Sequence, residues 1–226
     1  MKNFPTFVRI TAESLIQQIS IPVLNIGVGN LVDIHKQYQE GKFNIFLEEV
    51  KRGTADISIQ NLNDYDILHT AYLTQQALLK IHQQEKIKLL ADLFTSYCRK
   101  LQPDHNDKLI DKYEIFLQLL ENISFIEFQI LAILYKYEIS LGVDSGGTFE
   151  TEHSFYENQC EIWVQFIDEV KSNLNLSNDE VEAYLQHITT TGLFVKFRQY
   201  GVDKGYLTQL FYELINFLKK DAGYAD

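Results

Sequence analysis

Residues 191–208 read TGLFVKFRQYGVDKGYLT. This is the one place in the chain where a strand-turn-strand pattern interrupts sequence of helical character, and it predicts a β-hairpin at about residues 193–207. A segment with helical spacing of apolar residues precedes the hairpin, and another follows it. The sequence therefore predicts a mainly α-helical chain with one β-hairpin near its C-terminal end.

The composition agrees with a helical, well-packed protein. Of the 226 residues, 46% are apolar and 13% aromatic, a composition that favours a folded core over intrinsic disorder. Only three prolines and eleven glycines interrupt the chain, which favours long helices over many short strands. The length suffices for one large domain or two small ones.

Apolar spacing and capping residues predict about eight helices. They are expected over about residues 30–52, 63–82, 85–101, 106–121, 124–138, 154–172, 177–190 and 208–220. Two of them begin with capping boxes, at Ser124 with Glu127 and at Ser177 with Glu180. The second and third helices could also form one long helix, because no strong breaker separates them.

The core positions of these helices follow from their apolar spacing. The clearest stripe runs along residues 85–101, where apolar residues recur every three or four positions. Its members are Ile87, Leu90, Ala91, Phe94, Cys98 and Leu101. In the helix before it, the predicted core residues are Leu68, Ala71, Tyr72, Leu78 and Leu79, and in the first helix they include Tyr38, Phe43, Phe46 and Val50.

We predict two regions, an N-terminal helical bundle at residues 1–122 and a region with the hairpin at residues 123–226. The net charge of −11 is unevenly divided between them. Residues 1–123 carry 13 basic and 15 acidic side chains, whereas residues 124–226 carry 7 and 16. An acidic C-terminal half repels phosphate and anionic lipid at long range.

No motif of a known catalytic, cofactor or metal site is present. Gly142–Gly147 is not a phosphate-binding loop, because no Lys-Ser/Thr pair follows its last glycine. The six histidines form no HxxxH pair, and the acidic residues of 168–182 do not have calcium-loop spacing. We therefore predict no catalytic residue, no cofactor and no metal, and we expect Cys98 and Cys160 to be free buried thiols in a reducing cytoplasm.

An uncharged stretch of 19 residues, 14–32, approaches the length of a membrane span. Gln17, Asn25 and other polar residues dilute it, and Pro22 and two glycines break it. We interpret it as a partly buried linker, with membrane contact as the alternative. The N-terminus shows no basic segment followed by a continuous apolar core, so we expect no signal peptide and a cytoplasmic protein.

The last hundred residues resemble a winged helix of the MarR-like sort. The matching segments are residues 124–134, the helix 181–191, Gly192-Leu193-Phe194, and Tyr206-Leu207-Thr208 leading into the last helix. The resemblance implies a winged-helix-like fold in which the helix before Gly192 enters the DNA major groove and the hairpin tip touches the backbone. This chain differs from the pattern, since it has no lysine or arginine between Lys171 and Lys196.

The first half is similar to bacterial helical proteins grouped with abortive-infection alpha proteins. The similarity rests on Ile21-Pro22 with Gly27, on the helix that ends in Phe46-Leu47-Glu48-Glu49, and on the helix that contains residues 86–90. It implies a bacterial cytoplasmic protein with a link to phage defence.

These observations predict a non-enzymatic protein-interaction or regulatory module that binds a protein partner or a second copy of itself. The candidate interaction residues on the hairpin are Lys196, Arg198, Tyr200, Lys204 and Tyr206. One alternative is a DNA-binding regulator, with these cations extended by Lys86 and Lys88. A second alternative is a membrane-acting effector that uses residues 14–32, and a third is a hydrolase whose catalytic motif is not recognisable in the sequence.

Overall fold

The computed structural model describes residues 29–53, 65–100, 107–140, 152–199 and 202–218. Within these ranges the chain forms eight helices and one two-stranded antiparallel sheet, so the predicted fold class, a mainly α helical bundle with one hairpin, is confirmed. The helices are α1 (Gly29–Gly53), α2 (Tyr65–Lys80), α3 (Gln84–Lys100), α4 (Asp107–Asn122), α5 (Phe125–Ser140), α6 (Glu152–Leu174), α7 (Asn178–Thr190) and α8 (Gln209–Leu218). The strands β1 (Phe194–Gln199) and β2 (Val202–Leu207) lie between α7 and α8.

The chain divides into two compact units, and residues 122–219 form the second. The described part of the first unit comprises α1 to α4. The described part of the second comprises α5 to α8 with the hairpin.

The helices of the first unit alternate in direction. Ile81–Gln83 separate α2 from α3, so the two are distinct helices and not one long one. Lys42 of α1 bonds to the carbonyls of Leu79 and Ile81 at one end of the unit, and the far end of α1 at Gly53 lies against α3 near Thr95. Helix α1 therefore runs in the same direction as α3.

The core of α3 agrees with the sequence, and that of α2 agrees in part, since Leu78 is buried as predicted. The predicted α3 residues from Ile87 to Cys98 are buried. Leu68 and Tyr72 of α2, predicted to be core residues, are instead exposed, and so is Tyr38 of α1. Two of the buried positions of α2 hold threonines, Thr70 and Thr74. Thr74 can be buried at little cost, because its Oγ1 donates to the Thr70 carbonyl at 2.6 Å.

Local capping begins and ends the helices of the second unit. In both predicted capping boxes the serine hydroxyl accepts the glutamate N–H, and the glutamate carboxylate accepts the serine N–H. Helix α6 ends where Asn175 takes a left-handed φ of 52°, which allows the Leu176 N–H to reach the Lys171 carbonyl at 3.2 Å. The bonds at Ser124 and Ser177 confirm both predicted capping boxes.

The hairpin packs closely on α6. Phe194 is paired with Leu207 in the register, and both are buried. The Phe194 ring lies over Gly205 and stacks on the indole of Trp163, with ring centroids 6.1 Å apart and planes inclined by 10°. Thr208 closes the base by donating its hydroxyl to the Gly192 carbonyl at 2.7 Å.

No single helix in the described ranges is long and apolar enough to cross a membrane, and α4 and α5 meet that test only as a broken pair. Most of the stretch 14–32, the loop Gly142–Gly147 and Tyr200 lie outside the described residues. Residues 29–32 begin helix α1.

Candidate interaction surface on the hairpin

Four of the five predicted interaction residues fall on the described strands, but they do not form one exposed surface. Arg198 on β1 is exposed. Lys196 on β1 and Tyr206 on β2 are half-buried, and Lys204 on β2 is buried. Tyr200 lies outside the described residues.

Lys196 belongs to an ion pair between the hairpin and helix α7. Its ammonium contacts the carboxylate of Glu182, whose side chain is 55% exposed. The pair ties β1 to α7 and places a negative charge beside the positive one. Lys196 therefore adds little net positive potential to the hairpin surface.

The structure differs from the sequence-based expectation for Lys204. Only 1% of this residue is exposed, so its side chain is buried within the fold and does not meet solvent. Lys204 is the direct cross-strand partner of Phe197, which is half-buried. As the hairpin stands, Lys204 is a residue of the fold and offers no charge to a partner.

An aromatic pair occupies one face of the hairpin. Phe197 and Tyr206 lie diagonally across the two strands, with ring centroids 5.9 Å apart and planes inclined by 53°. Side chains alternate between the two faces of a strand, so Arg198 projects from the opposite face to Phe197. Tyr206 is among the predicted interaction residues and Phe197 is not, although the register of two short strands could have placed the two diagonally on one face.

The neighbouring helix α7 presents an acidic surface. Asp179, Glu180 and Glu182 are all exposed. Glu180 also caps its own helix, and hydrogen bonds from the Ser177 backbone N–H and hydroxyl hold its pKa below the usual value. An approaching polyanion would meet these carboxylates first.

Glu138, which is not among the predicted site residues, anchors the base of the hairpin. It is 3% exposed, and its carboxyl group accepts the Leu207 N–H at 2.8 Å and the Tyr212 hydroxyl at 2.5 Å. Burial raises the pKa of Glu138 to about 7, against the opposing effect of these two hydrogen bonds. The sequence signal for it is weak, because the mostly apolar segment 125–139 also contains Glu127 and Lys136.

A second buried carboxyl group orients a surface histidine. Glu127 Oε1 lies 2.5 Å from Nδ1 of His187, and its Oε2 accepts the Ser124 N–H at 2.7 Å. The imidazole is 55% exposed, while the carboxylate is 3% exposed. This contact joins the N-terminal end of α5 to α7, the helix that precedes the hairpin.

Two other residues considered from the sequence, Lys86 and Cys98, are buried in the structure. Lys86, proposed for an extended basic strip, is buried and donates to the Glu121 carbonyl at 3.3 Å, whereas Lys88 is exposed. Burial raises the pKa of the Cys98 thiol, so this cysteine is a poor nucleophile. No group of three His, Cys, Asp or Glu residues in the described ranges could hold a metal ion.

No protein-family model, curated protein or solved structure was found to match the chain.

Proposed function

We propose that the chain is a non-enzymatic bacterial protein-interaction or regulatory module, and that its partner is a protein that contacts the hairpin. The observation that carries this proposal is the state of the two hairpin lysines. Lys196 is paired with Glu182, and Lys204 is buried. The described strands therefore present one exposed cation, Arg198, where a DNA-binding wing needs several.

The remaining hairpin side chains suit a protein partner better. Aromatic residues and arginine are among the residue types that carry most of the binding energy in protein interfaces. Phe197 and Tyr206 supply two adjoining rings on one face of the hairpin, and Arg198 supplies an exposed guanidinium on the opposite face. The exposed carboxylates of α7 would add electrostatic attraction for a basic partner surface.

The proposed setting is bacterial phage defence in the cytoplasm. Its support is the resemblance of the first half to abortive-infection alpha proteins, and a partner recovered from the native host would give it direct support. Self-association is a second form of the same function, with another copy of the chain as the partner.

The test is affinity capture from native host lysate, with and without nuclease, using the wild-type chain and the double variant R198A/Y206A. A protein recovered in stoichiometric amount after nuclease treatment, and lost with the double variant, is the expected result. The matched control is R52A, because Arg52 is an exposed arginine in the first unit. Fluorescence of Trp163, the only tryptophan, reports whether the double variant keeps the hairpin packed.

Two results would contradict the proposal. Recovery of nucleic acid that is lost at raised salt and depends on Arg198 would favour the DNA-binding alternative. Flotation of the purified protein with anionic liposomes, unaffected by R198A/Y206A, would favour the membrane alternative.

A further inference from the structure

One carboxyl group joins three elements of the second unit. Glu138 lies close to the C-terminal end of α5. It accepts a hydrogen bond from the backbone of Leu207, the last residue of β2, and another from the side chain of Tyr212 in the first turn of α8. The base of the hairpin and the start of α8 are therefore both attached to α5 through Glu138.

We propose that Glu138 is a proton-controlled latch, which holds the hairpin and α8 on α5 when its carboxyl group is neutral and loosens them when it is ionised. A neutral carboxyl group keeps both contacts, because its carbonyl oxygen accepts the Leu207 N–H and its O–H can donate to the Tyr212 oxygen. An ionised group also accepts hydrogen bonds from both donors, but it is then a buried charge. Contact with water would stabilise that charge. Opening of the hairpin base is the local movement that would admit that water.

The pKa of Glu138 places this change near neutral pH. Removal of the carboxyl group from water raises its pKa to about 7, and the hydrogen bonds from Tyr212 and Leu207 only partly oppose this effect. In an unfolded chain the same group ionises near pH 4.5. The latch therefore contributes stability that is fully present below about pH 4.5 and is lost as the pH rises through about 7.

The surrounding elements carry several other titratable groups. On β2 there is Lys204, whose positive charge would favour the ionised form; on α8 there is Glu213, which would oppose it. Helix α6 carries Glu169, but Tyr137 and Lys136 already bond to that carboxylate. The Glu127–His187 pair between α5 and α7 lies eleven residues along α5, roughly 16 Å away.

The test measures amide hydrogen exchange of the full-length chain at pH 5.5 and pH 8.5, with rates corrected for the intrinsic effect of pH. In the wild type we expect the protection factor of the Leu207 amide to be about tenfold lower, or more, at pH 8.5 than at pH 5.5. A tenfold change in an equilibrium corresponds to a pKa difference of about one unit. In E138Q the glutamine side chain keeps an acceptor and a donor but cannot ionise. The protection factor of the Leu207 amide should therefore be the same at both pH values. E127Q, which changes another buried glutamate of α5, should retain the wild-type response.

The proposal fails if E138Q shows the same loss of protection as the wild type, or if the wild type shows none. A second measurement does not depend on whether E138Q folds. The side-chain carboxyl ¹³C resonance of Glu138 in the wild type should titrate near pH 7, and Y212F should move that midpoint upward because the ionised form loses a donor. A midpoint near pH 4.5, or one that Y212F leaves unchanged, would overturn the latch.

Discussion

At the scale of single residues, Gly205 determines how the hairpin packs. A Cβ atom at this position would overlap the Phe194 ring and lie 2.7 Å from the Val195 carbonyl oxygen. The ring cannot move away freely, because it stacks on Trp163. We expect Gly205→Ala to lower the free energy of unfolding of the second unit by about 1–3 kcal/mol, the usual cost of overpacking. Urea unfolding followed by Trp163 fluorescence measures this change.

Gly41 is the matched control for that substitution. It lies inside helix α1, and a Cβ atom there would meet nothing within 4 Å. Gly41→Ala should stabilise the first unit by up to about 1 kcal/mol, because alanine loses less backbone entropy in a helix. If both substitutions have the same effect, the close contact between Gly205 and Phe194 is not what makes a glycine necessary.

Residue type alone was a poor guide to which polar side chains are buried. Lys204, Glu138 and Thr74 are buried, yet each belongs to a residue type that is mostly exposed in proteins. Thr74 is satisfied by the carbonyl one turn earlier, and Glu138 by a backbone N–H that is 69 residues away in the chain. A hydrogen bond between residues as far apart in the sequence as Glu138 and Leu207 depends on the tertiary fold, so no local pattern could have predicted it.

At the scale of elements, the local signals predicted the fold well. The two capping boxes and the hairpin depend on residues within a few positions of one another, and the structure confirms them, whereas the break between α2 and α3 was left open by the sequence. The exposed face of α2 was not predicted. Leu68 and Tyr72 have core spacing, but which face of a helix is covered depends on where its neighbours lie.

The joint between α1, α2 and α3 depends on one buried lysine. Lys42 of α1 is 3% exposed and donates to the carbonyls of Leu79 and Ile81, at 3.0 and 2.9 Å. These carbonyls lie where α2 ends, so they have few helical donors of their own. We expect Lys42→Met, which keeps the apolar stem, to destabilise the first unit by about 1–3 kcal/mol because both acceptors lose their donor.

Thermal unfolding followed by circular dichroism measures this effect. Lys51→Met is the matched control, since Lys51 is an exposed lysine of the same helix. It should change stability by less than about 0.5 kcal/mol. An equal effect of the two substitutions would show that Lys42 contributes no more than a surface lysine.

The two capping boxes of the second unit should differ in their sensitivity to the loss of charge. Glutamine can replace glutamate in a capping box, so Glu180→Gln on the exposed start of α7 should have little effect on stability. Glu127 has a second role, because its buried carboxylate also holds His187. Glu127→Gln should therefore cost about 1–2 kcal/mol more than Glu180→Gln. Equal urea midpoints by Trp163 fluorescence would show that the contact with His187 contributes no stability.

At the scale of the whole molecule, the charge distribution and the aromatic packing determine different properties. The excess of acidic residues in the C-terminal half concerns solubility and the choice of partner, and it does not determine the fold. The fold of the second unit depends instead on apolar contacts between its own elements. Trp163 of α6 contacts both Phe166 of the same helix and Phe194 of β1, while Tyr135 of α5 packs on Phe211 of α8.

These contacts predict that the second unit folds by itself. We expect a fragment of residues 122–219 to unfold in one cooperative transition, with a free energy of about 5–10 kcal/mol, as is usual for a domain of this size. Trp163 fluorescence and circular dichroism should report the same urea midpoint, because the indole lies in the aromatic core and the helices surround it. The full-length chain should show that same midpoint by Trp163 fluorescence. A fragment that lacks a cooperative transition would mean that the core of the second unit is incomplete without residues of the first, and that residues 122–219 are not a domain.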